Sequence, residues 1–336
     1  MIRAIHCAGV TPDGSRIRVS TQNLDEALSC TDKCKLTWLD FVVSDLSLGP
    51  EEVVKSLELN LEPSVLFSGY LSNYEDKGDT LGLMIPVVRF EGRRLTSIPL
   101  LIYVKQNLLI TIHDEYADHL LKLSQYADSF LKRLPLKDEE WAERQTVLLA
   151  RMIDEVNEHN FKVLGAIVER SDLMEMTLRT SRLHELSTEM SEIRRSIVKF
   201  LNIAWATHDL VHSLRYGDAE MVSNREEILA KFNLVLSDLE RQISLAGNIL
   251  DAISASVSVV QADITNKLTT LLLWLTIIGT AILIPNTLAT IYGIPFLLGE
   301  HLGWISTSLL LATVVSTFVV YFYVRRWWRK PTSKIG

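Results

Sequence analysis

Apolar and polar positions change rhythm twice along this chain, and each rhythm predicts a different kind of element. Through residue 135 the apolar positions alternate or form short runs, which predicts a mixed α/β domain. Ile2–Val10 and Arg16–Ser20 read as a hairpin around Thr11-Pro12-Asp13-Gly14. Leu24–Thr31 predicts a short helix, and Leu36–Val43 (LTWLDFVV) a buried strand. Pro50, followed by Glu51 and Glu52, opens a helix through about Leu59. Val65–Tyr74, Thr80–Phe90, Ser97–Val104 and Leu108–His113 complete a sheet, with Lys105-Gln106-Asn107 turning between the last two. Asp114–Leu134 predicts a helix closed by Pro135.

From Lys137 the period becomes helical and stays so. Leu149, Met152, Val156, Asn160, Val163 and Ile167 mark one seam, and Leu183 through Val211 another, ended by Tyr216-Gly217-Asp218. A third seam begins at Ile228 and returns in steps of three and four as far as Ile264. No proline lies between Pro135 and Pro285, so this helix is expected to run from near Val222 into an apolar segment. Its length would be roughly 100 Å. From Leu268 through Gly299 no Asp, Glu, Lys or Arg occurs, which exceeds the roughly 20 apolar residues of a membrane-spanning helix. A second apolar run, Leu302–Val324, ends in Arg325-Arg326-Trp327-Trp328-Arg329-Lys330, and basic residues there hold that end in the cytoplasm. The expected organisation is an α/β domain (1–135), a helical hairpin (136–221), a stalk helix (222–266), a first span (267–295), an outer loop (296–301), a second span (302–324) and a basic tail (325–336). Both termini then lie in the cytoplasm of a cell-membrane protein.

The first span carries chemistry. Thr276, Thr280, Leu283, Thr287 and Thr290 recur in steps of four, three, four and three, so they share one helix face, with Asn286 beside it. Such a stripe either packs against other helices through small residues or lines water. Two spans cannot enclose an aqueous path, so a pore requires an oligomer. Leu272, Leu273 and Leu283 are candidates for a hydrophobic gate. The helix ends outward, so carbonyls near Ala289 to Tyr292 would offer its partly negative end to a cation. Glu300, on the outer loop, would add an acid near the entrance.

Composition narrows the partners. The 336 residues hold 34 Lys/Arg and 41 Asp/Glu, a net charge of −7, with a mean hydropathy of +0.17. Six of those bases and one acid lie from Lys267 onward, leaving 28 bases against 40 acids before it, a net of −12. An acidic soluble part argues against nucleic acid and favours cations. Cys7, Cys30 and Cys34 read as free thiols; His208 and His212, four apart on a helix, could bind metal, but His208 falls on the apolar seam and reads as a buried or interface histidine. No phosphate loop, nucleophile elbow or HExxH motif occurs, and neither an enzyme nor an organic cofactor is expected.

A cytosolic α/β domain, a long helix continuing into the first span, Tyr292-Gly293 at its outer end and a second span closing in a basic cluster resemble the CorA family of divalent-cation channels. Trp38-Leu39-Asp40 is similar to that family's W-x-D strand, and Ile284-Pro285-Asn286-Thr287-Leu288-Ala289 to the segment before its signature. The resemblance implies a funnel-shaped homopentamer whose first spans line a pore for passive Mg2+ transport, with Co2+ or Ni2+ as surrogates. It places the outer mouth at Tyr292, Gly293, Ile294, Pro295 and Glu300. The family's Gly-Met-Asn signature is Gly293-Ile294-Pro295 here, without the amide side chain, which keeps open a zinc-conducting or weakly selective variant. A non-conducting, membrane-anchored sensor or scaffold is the alternative of another class. The resemblance also implies regulatory Mg2+ held by carboxylates between cytosolic domains, for which Asp238, Asp263, Glu75 and Asp79 are candidates.

Overall fold

The computed structural model describes residues 2–67, 71–117, 127–177, 183–217, 219–292 and 302–328. The chain divides into two compact units, Met1–Val257 and Ser258–Gly336. In the first, β1 (Ile2–Val10), β2 (Arg16–Thr21), α1 (Leu24–Thr31) and β3 (Leu36–Val43) are followed by α2 (Gly49–Ser56) and α3 (Pro63–Phe67). Then come β4 (Asn73–Asp76), β5 (Thr80–Glu91), β6 (Arg94–Lys105) and β7 (Leu108–Asp114). The strands form one sheet in the order β2-β1-β3-β7-β6-β5-β4. Every neighbouring pair is antiparallel except β3 with β7, so the sheet is mixed.

The α/β reading of the first domain holds, with corrections at two boundaries. The run Val65–Tyr74 is not one strand, because Pro63 opens a helical turn through Phe67 and only Asn73–Asp76 pairs with β5. The third long helix starts at Lys231 rather than near Val222; a short helix, Glu226–Leu229, precedes it. Most of the helix expected over Asp114–Leu134 lies outside the described residues, leaving α4 (Ala127–Phe130) near its end.

Both sheet faces are covered, which explains why β3 is buried at all eight positions. One face packs Leu39, Phe41 and Val43 against Val53, Leu61 and Leu66 of the α2–α3 side. The other packs Trp38, Ile85 and Ile102 against α5 (Trp141–Thr177) and α6 (Leu183–Arg215), through residues such as Ile153 and Leu210. After α7 (Glu226–Leu229), the first turns of α8 (Lys231–Tyr292) add Phe232, Val235 and Leu239 to the same core. Gly9 of β1 packs closely: a Cβ there would lie 2.5 Å from the Cys34 Sγ and 3.1 Å from the Leu36 carbonyl, so the Cys34 side chain would have to shift. Cys7 and Cys30 are buried free thiols, and burial, then the hydrogen bond with Cys30, pushes the Cys7 thiol up, away from the thiolate that metals need.

Parallel pairing of β3 with β7 brings four polar side chains together inside the core. The Trp38 indole N–H donates to Thr111 Oγ1 at 2.9 Å, and that hydroxyl donates to Asp40 Oδ1. His113 contributes Nε2 to the same oxygen at 2.8 Å and Nδ1 to the Asp114 carbonyl at 2.9 Å. Burial alone would raise the Asp40 carboxyl. The charge of His113, its hydrogen bond and that of Thr111 outweigh burial and hold the carboxyl below its usual range. Both ring nitrogens of His113 face acceptors, and it forms a buried pair with Asp40, each side chain 1% exposed. Removing His113 leaves an uncompensated carboxylate, a loss of about 3–5 kcal/mol. His113→Leu is therefore expected to unfold first in thermal melts of the full chain followed by circular dichroism. Asp40 has a folded value below its ordinary one, so its contribution is complete above about pH 4 and disappears as pH falls through the folded value. Asp40→Asn is expected to flatten the fall in melting temperature between about pH 5 and pH 3.

Candidate functional site

The second unit holds the end of α8 and all of α9 (Leu302–Trp328). Helix α8 runs 62 residues without a break and, among the described residues, is the one helix long and apolar enough to cross a membrane. The qualifying apolar stretch within α9 is shorter, Leu310–Phe322.

Residue 285 is proline, so the carbonyl of Ala281 has no N–H four residues on. The Ser316 hydroxyl of α9 donates to that carbonyl at 2.9 Å, and both residues are buried, at 5% and 7% exposure. The freed carbonyl is thus satisfied by a neighbouring helix and is not an open acceptor for an ion. Trp274, Ile278 and Ile282 of α8 and Thr317, Phe318 and Tyr321 of α9 border the same contact.

This contact fixes where the threonine seam points. At 100° per residue, Thr280, Leu283, Thr287 and Thr290 fall within about 40° of Thr276, whereas Ala281 lies roughly 140° away. Helix α9 therefore sits on the side of α8 turned away from the seam. Thr276, Thr280, Leu283, Asn286, Thr287 and Thr290 are all exposed in the single chain. Leu272 shares the seam's sector, whereas the half-buried Leu273 lies about 60° to its side.

Each seam hydroxyl proton is used within its own helix. Thr276 donates to the Leu272 carbonyl at 2.8 Å and Thr280 to that of Thr276 at 2.6 Å. Thr287 donates to Leu283 and Thr290 to Asn286, both at 2.8 Å. What remains outward on each oxygen is acceptor capacity, which suits a cation or the water around one and offers nothing to an anion. Tyr292 closes the helix; Gly293, Ile294, Pro295 and Glu300 lie outside the described residues.

The regulatory candidates are dispersed. Asp238 pairs with Arg241 at 3.1 Å, Asp263 with Lys267 at 2.8 Å and Glu75 with Lys77 at 2.9 Å, while Asp79 accepts from the Asn60 amide. No cluster of three or more metal-ligating side chains occurs among the described residues. His208 and His212 stack at 6.1 Å between Trp205 and Tyr216, and His208 Nε2 lies 3.7 Å from Glu240. Sequence reasoning missed Ser316, whose signal is a serine inside the second apolar run opposite the carbonyl a proline frees.

The chain thus combines a mixed α/β domain with a helix that is, by length and composition, apolar enough to span a bilayer. Residues 34–326 match the family described as CorA-like Mg2+ transporter protein. The chain belongs to the CorA family, transmembrane carriers of divalent metal ions and not enzymes. Its fold is similar to the complete CorA magnesium transporter of Methanocaldococcus jannaschii, with TM-score 0.74 and 16% identity over 96% of this chain and 97% of that one. It is also similar to the full-length CmaX protein, with TM-score 0.61 and 14% identity over 96% and 98%. The ZntB cytoplasmic domain from Vibrio parahaemolyticus aligns at TM-score 0.51 and 12% identity over 80% and 100%. No curated protein sequence matches the chain.

Ser316→Ala removes the donor to Ala281 and is expected to cost about 1 kcal/mol, within the range of hydrogen bonds between membrane helices. Pro285→Ala restores an N–H to the same carbonyl. The double variant is expected to recover most of that loss in thermal melts of the detergent-solubilised protein, which a generic packing defect at Ser316 would not.

Proposed function

We propose that this chain is a channel for the passive transport of divalent cations, Mg2+ first with Co2+ and Ni2+ as surrogates, assembled as a homopentamer around α8. The observation that carries the reading is the hydrogen bond from Ser316 to Ala281, which keeps α9 off the threonine seam. With α9 outside, symmetric copies bring seam to seam around an axis. The second spans then form the outer layer, and both termini stay in the cytoplasm of a cell membrane.

Magnesium sheds water reluctantly, so the seam meets a hydrated ion. Its water protons find the outward lone pairs of Thr276, Thr280, Thr287 and Thr290, with Asn286 beside them. At the mouth, residues 289–292 present the carbonyl end of the helix dipole to the cation. Leu283, with Leu272 and Leu273 nearer the cytoplasm, narrows and dries the path. The driving force is the concentration gradient and an inside-negative potential, about 2.3 kcal/mol per charge per 100 mV and twice that for a divalent ion. Asp238, Asp263, Glu75 and Asp79 act as regulatory Mg2+ ligands only where a second subunit completes the site, since each has a partner within this chain.

One observation favours a second reading on the same scaffold. Gly293-Ile294-Pro295 supplies no side-chain amide, so discrimination between Mg2+ and Zn2+, or against monovalent ions, is relaxed.

Flux into proteoliposomes followed with a magnesium-sensitive dye, beside zinc and sodium indicators, tests both readings. Mg2+ flux is expected to exceed Na+ flux. Thr287→Val with Thr290→Val is expected to lower Mg2+ flux by about tenfold, or about 1.4 kcal/mol of barrier, at unchanged oligomer size. Absence of flux for every ion from a correctly assembled oligomer would turn the assignment to a non-conducting scaffold.

A further inference from the structure

In the first unit the two longest strands, β5 and β6, outrun their neighbours. Strand β4 pairs with β5 only over Leu81 to Met84, and β7 pairs with β6 only over Leu101 to Lys105. Beyond those points β5 and β6 continue as a two-stranded ribbon in which Pro86 faces Pro99. Proline is tolerated there because its missing N–H points to an edge that no strand occupies. Helix side chains close those edges instead. Asn160 of α5 accepts from the Val88 N–H at 2.9 Å and donates to the Pro86 carbonyl at 3.1 Å. Ser196 of α6 accepts from the Leu95 N–H at 3.0 Å and donates to the Arg93 carbonyl at 3.1 Å.

A groove of about 820 Å³ opens between one face of this ribbon and α6. Met84, Pro86 and Pro99 give it an apolar floor, and Arg194, Arg195 and Lys199 line its helical wall. Among the described residues none of these three cations meets a carboxylate. Two acids next to them on the same helix are committed elsewhere: Glu189 pairs with Arg170 and Arg93, and Glu192 with Arg94. A chain with 41 acids against 34 bases thus keeps three uncompensated cations in one concavity.

We propose that this groove binds a nucleoside polyphosphate, its phosphates on Arg194, Arg195 and Lys199 and its base on the proline and methionine floor. Guanidinium forks match phosphate oxygens in pairs, and the lysine adds a point charge. The volume falls in the range of small-molecule sites, roughly 300–1,000 Å³. An acidic peptide would meet the same charges, but one that docks by adding a strand needs a free strand edge. Asn160 and Ser196 have already taken backbone groups on both edges of the ribbon. The inference stands apart from the transport reading and from the identity of the ion.

The test is titration of the full-length, detergent-solubilised protein with a fluorescent ATP analogue in EDTA, competed with ATP, ADP, AMP and inorganic triphosphate. Saturable binding is expected, displaced in the order ATP, ADP, AMP, with triphosphate weaker than ATP because it leaves the floor unused. Arg195→Ala with Lys199→Ala is expected to weaken binding at least tenfold, and Arg195→Lys less than Arg195→Ala. Arg18→Ala, an exposed cation elsewhere, is expected to leave binding unchanged. Unchanged circular dichroism shows that the variants fold. Absence of saturable binding, or affinity untouched by the double variant, would overturn the proposal. Triphosphate as strong as ATP would overturn the nucleoside assignment. A double variant that alters oligomer size but not nucleotide affinity would give the groove to an acidic segment of a second copy.

Discussion

Inside an apolar layer a backbone carbonyl without a donor is costly, and that constraint organises the second unit. Pro285 takes away the partner of the Ala281 carbonyl, and Ser316 of the last helix replaces it. A hydroxyl can do this from only one side. The bond therefore sets the azimuth of α9 about α8, and by elimination it sets the face that α8 keeps free. Apolar packing by Trp274, Ile278 and Phe318 supports the contact. Leucine-like surface against leucine-like lipid does not choose a direction, however; the polar pair does.

The first unit solves the same problem by the same means. Where β5 and β6 run past their neighbours, Asn160 and Ser196 from two helices bond to the exposed ribbon edges. Arg144, 2% exposed, sends its guanidinium to the carbonyls of Pro135 and Lys137 and to the Asn107 side chain, tying the β6–β7 turn to the start of α5. Asn107 takes a positive φ of 60° in that turn, which asparagine tolerates better than most residues. Helices in both units are thus positioned by polar side chains that complete an interrupted backbone, and packing fills the space around them.

This explains which parts of the protein are readable from the chain of residues alone. Periodicity finds β1, β3, β7 and the long helices because burial on one or both faces repeats along each element. It fails at Val65–Tyr74, where β-favouring residues lose to a helix start imposed by Pro63. It also misses the break before Lys231, since Ile228 and Phe232 keep helical spacing across it. The threonine seam is legible as a stripe, but its direction is not, because that depends on Ser316, 35 residues after Ala281. Asp40 inside LTWLDFVV signals a buried partner without naming it; His113 is its neighbour only through parallel pairing across the whole β4–β6 insertion.

The proposed ion path draws its chemistry from protons already spent. A threonine whose hydroxyl donates backward along its helix shows only lone pairs to the space beyond, so the seam attracts cations without carrying charge. Neutral acceptors of this kind hold a hydrated divalent ion weakly enough to release it, which conduction requires. They also distinguish one hydrated divalent ion from another poorly, since each meets the same lone pairs through its own water. On this reading a mouth reading Gly-Ile-Pro leaves the choice of ion to dehydration and pore width, because no amide ring is present to sharpen it.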